Sequence, residues 1–443
     1  MLKKSTPVTD ISELRKSFLK DDALVCKSLM LSNTALDNAA FDPIASGKMD
    51  FKFSKEIKTL EVTNQKASGR CWLFAALNFL REKTAAKLNV ANIEFSQNFV
   101  AFFDKLEKIN YFLESIIDTA DREITDRTVS FILETGIADG GQWDMLVSLI
   151  NKYGIVPKAA MPETYMSSNT GLMNRMINMK LREMAAQLRN AYRSGEDVSK
   201  IKEKMLSKMY ESLVICFGMP PVSFDFEYTD KDDNYHIERH LDPKSFYDKY
   251  VGVDLSEYVS IINAPTSDKT FYSTFTVKYL GNVVENDNIR YLNVPMDILK
   301  DLIIKQLNDD EVVWFGSDVG KFGERKEGIW DIDSFGYDKI LGYPLSISKE
   351  DQLDYRDSAM THAMLITGYN MGEDGSPDRW KIENSWGDER GKKGYYIIGK
   401  KWFDQYVYQA VINKKHLSDD LLEDLQKKPI ELDPWDPMGS LAK

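Results

Sequence analysis

Gln65-Lys66-Ala67-Ser68-Gly69-Arg70-Cys71-Trp72-Leu73-Phe74 is the stretch on which the reading of this chain turns. Residues 51–62, before it, read as a strand. Residues 72–88, after it, read as a helix, because Leu73, Ala76, Leu77 and Leu80 recur at the three-and-four spacing of a buried stripe. Gly69 permits a tight entry, and Ser68 is the expected N-cap. Cys71 then sits in the first turn of a helix that runs into the core. The positive helix end and unpaired backbone N–H groups there favour thiolate over thiol, and the thiolate is the nucleophile. Arg70 adds positive charge beside it. A lone cysteine ordinarily packs as a small hydrophobe. Gln65 moves the balance, because a neutral amide donor just upstream can meet the oxyanion formed when a thiolate attacks a carbonyl.

Composition bounds what surrounds this stretch. The 443 residues are enough for a large core with additions, and 43% hydrophobic with 28% charged residues is a soluble globular balance. A net charge of −12 argues against a general nucleic-acid binder and leaves room only for a local basic patch. Cys26, Cys71 and Cys216 are too few and too scattered for a disulfide framework. No apolar segment follows Met1-Leu2-Lys3-Lys4-Ser5-Thr6-Pro7 as a secretory leader would require, so the cytoplasm is the expected location. No apolar run is long enough to span a bilayer, so no membrane is expected. The four histidines, His236, His240, His362 and His416, fall in no zinc-binding spacing, and no glycine-rich phosphate cradle is present. Neither a metal nor a cofactor is expected.

The order of patterns divides the chain. Residues 1–50 read as an arm of short helices, 11–19 and 23–31, that wraps or bridges subunits. Residues 51–165 form a helical lobe carrying Cys71. It includes Asp139-Gly140-Gly141-Gln142-Trp143 ahead of an amphipathic helix, a place where a peptide backbone can approach closely. Residues 166–300 hold a helical hairpin at 170–217 and an acidic, aromatic stretch without legible chemistry. From 301 the pattern turns to strands: Val312-Val313-Trp314-Phe315-Gly316, then His362 to Tyr369, then 379–387 and 394–399. These predict a small, mostly antiparallel sheet. His362 begins one strand and Asn384 ends the next, so a hairpin sets them side by side. The Asn384 carbonyl can then fix the imidazole tautomer, and Trp386 can shield that bond from water.

Together, Ser68-Gly69-Arg70-Cys71-Trp72, His362 and Asn384-Ser385-Trp386 resemble the papain-like cysteine peptidases. Val62-Thr63-Asn64-Gln65-Lys66, Val313 through Gly320, Thr361-His362-Ala363-Met364 and Asp433-Pro434-Trp435-Asp436-Pro437-Met438-Gly439 are similar to the bleomycin hydrolase/aminopeptidase C branch of that family. Two departures from the lysosomal pattern are present. Ser68 stands where that pattern has a disulfide cysteine. The chain also runs much further from Cys71 to His362 than the roughly 130–150 residues usual there, which the insertions account for.

The resemblance implies an α+β fold of two lobes, a helical lobe with Cys71 and a sheet or barrel lobe with His362 and Asn384. It implies Gln65 as oxyanion donor, and Gly140 and Gly141 paired with substrate backbone. It implies homohexameric cages that remove residues from peptides with free N-termini, with the arm and insertions mediating self-association. It also implies that the tail, 431–443, enters the cleft and that its carboxylate faces the substrate's α-ammonium. Prolines 434 and 437 and the absence of any period predict an extended strap there. Leu441-Ala442 would lie in the cleft with the Ala442–Lys443 bond across Cys71, so the enzyme is expected to trim its own Lys443. The alternative is a non-catalytic or nucleic-acid-binding cage that kept the fold. The intact set Gln65, Cys71, His362 and Asn384 argues against it.

Overall fold

The apolar run at 312–316 becomes the strand Val313–Ser317, and its side chains alternate between two cores. Trp314 shares one core with Ala363 and Leu365, while Val313 and Phe315 share the other with Met364 and Ile366. A strand buried on both faces reads as a continuous apolar run. The computed structural model describes residues 7–286 and 289–443. Residues 1–6, where the leader was sought, and 287–288 of the acidic stretch lie outside the described residues.

The sheet is larger than the sequence predicts, and mixed. Among the described residues it has 12 strands. Val313–Ser317 lies between Val407–Asn413 and His362–Met371, and Pro377–Glu383 and Tyr395–Gly399 follow on the far side. On the near side, Tyr258–Ile262 pairs with Val407–Asn413, then come Tyr291–Asn293, Ser273–Val277 and Ile430–Leu432. Three of these strands fall inside the stretch expected to be insertion, so the sheet does not begin at 301. They are short, lie among acidic turns and are largely buried, so no alternating period marks them. The pairs of Tyr258–Ile262 with Tyr291–Asn293, and of Ser273–Val277 with Ile430–Leu432, are parallel.

The strand expected at 51–62 shrinks to Lys55–Glu56. Gly368 lets it come close, since a Cβ there would meet the Lys55 carbonyl at 2.6 Å. Beyond it the backbone leaves the sheet, and the Glu82 carboxylate takes the Leu60 N–H at 3.1 Å.

The helix Cys71–Leu88 lies against this sheet and buries thirteen of its residues. Its first eleven residues are buried throughout, and only its last turns meet solvent, at Ala86 and Lys87. Gln97–Asp118 packs beside it, and the hairpin Gly171–Arg193 and Val198–Phe217 covers that helix from outside. Leu181, Met184, Ala185 and Leu188 face inward as their spacing predicts, and Met205, Met209 and Leu213 join them, so these methionines fill core. Tyr192 belongs to the predicted stripe but is 45% exposed.

The arm forms the helices Val8–Leu19 and Asp22–Leu31. Asp22–Leu31 buries none of its residues, and Val8, Ile11, Leu14, Leu29 and Met30 are exposed. The tail is not the extended strap expected. Ile430–Leu432 joins the sheet, and Pro437–Ala442 winds into a 3₁₀ turn. The Asp436 carboxylate caps that turn through the Met438 N–H at 2.8 Å, and Pro437 occupies its first position, where the missing N–H costs nothing.

Candidate active site

Cys71 opens its helix directly after Arg70, and it is 4% exposed. The entry is not capped by Ser68. The Ser68 hydroxyl donates to the Gln65 carbonyl at 2.6 Å and accepts from Arg70 Nε at 3.0 Å. Arg70 does not supply charge to the thiol either. Its guanidinium forms a paired contact with Glu163, at 2.8 and 3.1 Å, and lies over the Phe74 ring. Backbone N–H groups of Ala363, Trp72 and Cys71 itself favour the thiolate, but burial outweighs them and pushes the thiol up to about 11. The Asp139 carboxylate adds to that rise. Two of these N–H groups belong to the helix start and the third to the strand His362–Met371, and burial is larger than their combined effect.

Two indole N–H groups fix the helix in place. Trp314 Nε1 donates to the Trp72 carbonyl at 3.0 Å, which ties the central strand to the residue after Cys71. Trp72 Nε1 donates to the Asp139 carbonyl at 2.7 Å, which ties the helix to the glycine loop. Asp139 has a role that its place in Asp139-Gly140-Gly141 does not announce. Its carboxylate accepts from the Gly69 N–H at 2.9 Å, Thr170 Oγ1 and Asn174 Nδ2, and pairs with Lys105 at 2.7 Å. Lys105 holds it well below the usual carboxylate range despite burial. One buried charge thus joins the turn before Cys71 to two helices distant in sequence. The clue was Asp-Gly-Gly itself, but its partners are long-range.

His362 begins the strand His362–Met371, and Asn384 directly follows Pro377–Glu383. Their hairpin register brings His362 Nε2 within 2.8 Å of Asn384 Oδ1. The same oxygen accepts the Ser385 N–H at 2.8 Å, so the amide can only be oriented with oxygen toward the imidazole. Nε2 must therefore carry the proton, which leaves Nδ1 as the basic nitrogen. Burial pushes His362 down to about 4, the Asn384 bond works the other way, and the positive charge of Arg325 adds to the fall. Trp386 lies 4.8 Å from the imidazole, ring to ring, where the sequence expects its cover.

Gln65 is held at both ends. Its Nε2 donates to the Ser68 carbonyl at 2.6 Å, and its Oε1 accepts from Ser385 Oγ at 2.6 Å. Its own N–H reaches the Ser385 carbonyl at 2.8 Å. One N–H of the Nε2 amide is left for a ligand. Gln65, Cys71, His362, Asp139 and Gly140 line one cavity of about 480 Å³ together with the tail.

The two glycines differ. A Cβ at Gly140 would meet the Leu441 carbonyl oxygen at 2.2 Å, so the tail lies directly on it. A Cβ at Gly141 would meet the Trp72 indole at 2.4 Å, so this glycine admits the ring. Ala442 and Lys443 line a small apolar pocket with Phe131, Ile132 and Tyr279, and Lys443 Nζ lies over the Phe131 ring. Among the described residues, no group of three or more His, Cys, Asp or Glu side chains is disposed to hold a metal, and no helix is long and apolar enough to cross a membrane.

The description of the Peptidase C1-like family matches residues 7–439. The chain belongs to that family. It is 47% identical to Aminopeptidase C of Listeria monocytogenes over 95% of each chain, and 38% identical to Aminopeptidase G of Lactobacillus delbrueckii subsp. lactis over 97% of this chain and 98% of that one. The crystal structure of PepW from Lactobacillus rhamnosis superposes with a TM-score of 0.96 at 44% identity, covering 98% of this chain and 99% of that one. The α+β, papain-like fold expected from the sequence is the fold of this family member.

Proposed function

We propose that this chain is a cysteine aminopeptidase that releases N-terminal residues from peptides through a thioester on Cys71. The observation that carries the reading is the bond from His362 Nε2 to Asn384 Oδ1, in a cavity that His362 shares with Cys71 and that the chain's own tail enters. The kinship with proteins named Aminopeptidase C supports it.

Taken singly, thiol and imidazole are both neutral in this buried site. Passing the thiol proton to Nδ1 creates two charges that face each other, with backbone N–H groups on the sulfur and Asn384 on the imidazolium. The thiolate attacks the carbonyl, and Gln65 Nε2 donates to the oxyanion. His362 protonates the leaving amine, and water resolves the thioester. The tail on Gly140 limits how much chain can precede the scissile bond, and its terminal carboxylate pairs with the substrate's α-ammonium. Gly140, Gly141, Trp386, Ala442 and Lys443 are the proposed substrate-side residues.

The enzyme works in the cytoplasm as a homohexamer. The unburied apolar faces of Val8–Leu19 and Asp22–Leu31 support a role for the arm in assembly, alongside the helical insertions. The proposed units remain an arm, a helical lobe, insertions, a sheet lobe and a gating tail. Cys71→Ala tests the activity: hydrolysis of aminoacyl-naphthylamides should disappear while the circular dichroism and elution volume stay unchanged. Turnover surviving in that variant would overturn the reading.

A further inference from the structure

The tail fills one side of the cleft, so a bound peptide must leave over the other, past His362 and Trp386. Arg325 stands beyond Trp386, where it lines a separate surface cavity of about 380 Å³ with Val319, Gly320 and Glu324. Its guanidinium lies 5.1 Å from the centre of the Trp386 ring, and Trp386 in turn lies 4.8 Å from the imidazole. Its charge is close enough to disfavour protonation of His362. It is exposed, and among the described residues its side chain has no carboxylate or carbonyl partner.

Arg325 sits in the loop between the strands Gly323–Glu324 and Ile329–Trp330. That loop rests on the turn carrying Arg390, through a 2.9 Å bond from the Gly391 N–H to the Lys326 carbonyl. Both guanidiniums act on the hydroxyl of Tyr396, whose ring packs against Trp386. Glu324, which opposes them at Tyr396, and Glu327, Asp388 and Glu389 lie on the same two turns, so this rim is of mixed charge and Arg325 stands out as the guanidinium placed over Trp386.

We propose that Arg325, seated on Trp386 and seconded by Arg390, receives the C-terminal carboxylate of short peptides. The inference rests on the aminopeptidase reading above and names its substrate class: tripeptides with a free carboxylate. The reach sets an upper limit of two residues beyond the scissile bond, which a tripeptide fills. The two ring spacings put the guanidinium at most roughly 10 Å from the imidazole. Two residues beyond the scissile bond span about 7 Å, and a hydrogen bond of about 2.9 Å closes the rest. A guanidinium over an indole face keeps N–H groups free for a two-point contact with carboxylate.

The test is a set of kinetic comparisons on the full-length enzyme. A tripeptide, the same tripeptide as its C-terminal amide, and an aminoacyl-naphthylamide are compared in wild type, Arg325→Gln and Arg325→Lys. Wild type should favour the free acid over the amide by about five- to ten-fold in kcat/KM at low salt, with the preference shrinking at high salt. Arg325→Gln should erase the acid-over-amide preference by raising KM for the free acid, while the effect of the lost charge on His362 falls on all three substrates alike and cancels in the acid-to-amide ratio. Arg325→Lys should restore part of the preference. Equal kcat/KM for acid and amide in wild type, or an equal loss on all three substrates in Arg325→Gln, would overturn the proposal. If wild type cleaved none of the three, the aminopeptidase reading would fall and this proposal with it. Naphthylamide cleavage without acid preference would overturn this proposal alone.

Discussion

His362 Nε2 and Asn384 Oδ1 lie 2.8 Å apart, and the Asn384 oxygen also holds the Ser385 N–H. The imidazole is thereby fixed in one tautomer and one orientation. A hydrogen bond to a group that becomes charged is worth roughly 1.5–3 kcal/mol. Asn384→Ala should therefore lower kcat by at least about ten-fold with a smaller change in KM, measured on an aminoacyl-naphthylamide.

Burial pushes the Cys71 thiol up to about 11, so it depends on His362 to take its proton at neutral pH. In His362→Ala no such base remains. Alkylation of Cys71 by iodoacetamide at pH 7 should then slow sharply, and should recover only as the pH climbs toward 11. Equal rates in wild type and variant at pH 7 would mean that the thiol ionises without the imidazole.

Gly140 bears the tail on its α-carbon, with the Leu441 carbonyl oxygen 2.2 Å from where a Cβ would be. Gly140→Ala must therefore displace Leu441. The variant should accept N-blocked peptides that wild type refuses, and deletion of residues 440–443 should do the same. Retention of a strict demand for a free amine in both variants would show that the tail is not the gate.

The 3₁₀ turn also bears on Lys443. Its N–H is bonded to the Ser440 carbonyl at 3.1 Å, so trimming requires the turn to open first. Intact mass spectrometry should find the mass of one lysine lost from wild type on prolonged incubation and never from Cys71→Ala.

A buried cluster links the lobes behind the site. Arg81, on the nucleophile helix, faces Glu82 at 3.5 Å and Glu383, the neighbour of Asn384, at 3.2 Å. Burial, with the charge of Glu383 added, raises Glu82 from 4.5 to about 7. A carboxyl raised in the folded state contributes stability below its unfolded value and loses it as pH rises through about 7. Glu82→Gln should flatten that dependence, gaining roughly 1–3 kcal/mol relative to wild type between pH 5 and pH 8. Urea unfolding at the two pH values measures it.

How much of this was legible in the sequence depended on whether the cause was local. Cys71 at a helix start, the His362–Asn384 hairpin and the Trp386 cover follow from spacing along the chain. Arg70 did not act as expected, because its partner Glu163 is distant in sequence. The role of Asp139 was hidden for the same reason: Lys105, Thr170 and Asn174 meet it only after folding. The strands between 258 and 293 are short and buried, so they carry no alternation to read. The tail winds into a turn instead of a strap because a proline that forbids a helix interior suits its first position, and Asp436 supplies the cap.

The central claim is that Cys71 is the nucleophile and that His362 makes it one. The most direct measurement is peptide mapping after treatment with a thiolate-directed epoxide at neutral pH. Cys26 is exposed and Cys71 is buried, so accessibility alone would favour Cys26. The account predicts one adduct, on Cys71, formed in step with loss of activity and absent in His362→Ala. Modification of Cys26 with loss of activity, or an inactive enzyme with Cys71 unmodified, would contradict it.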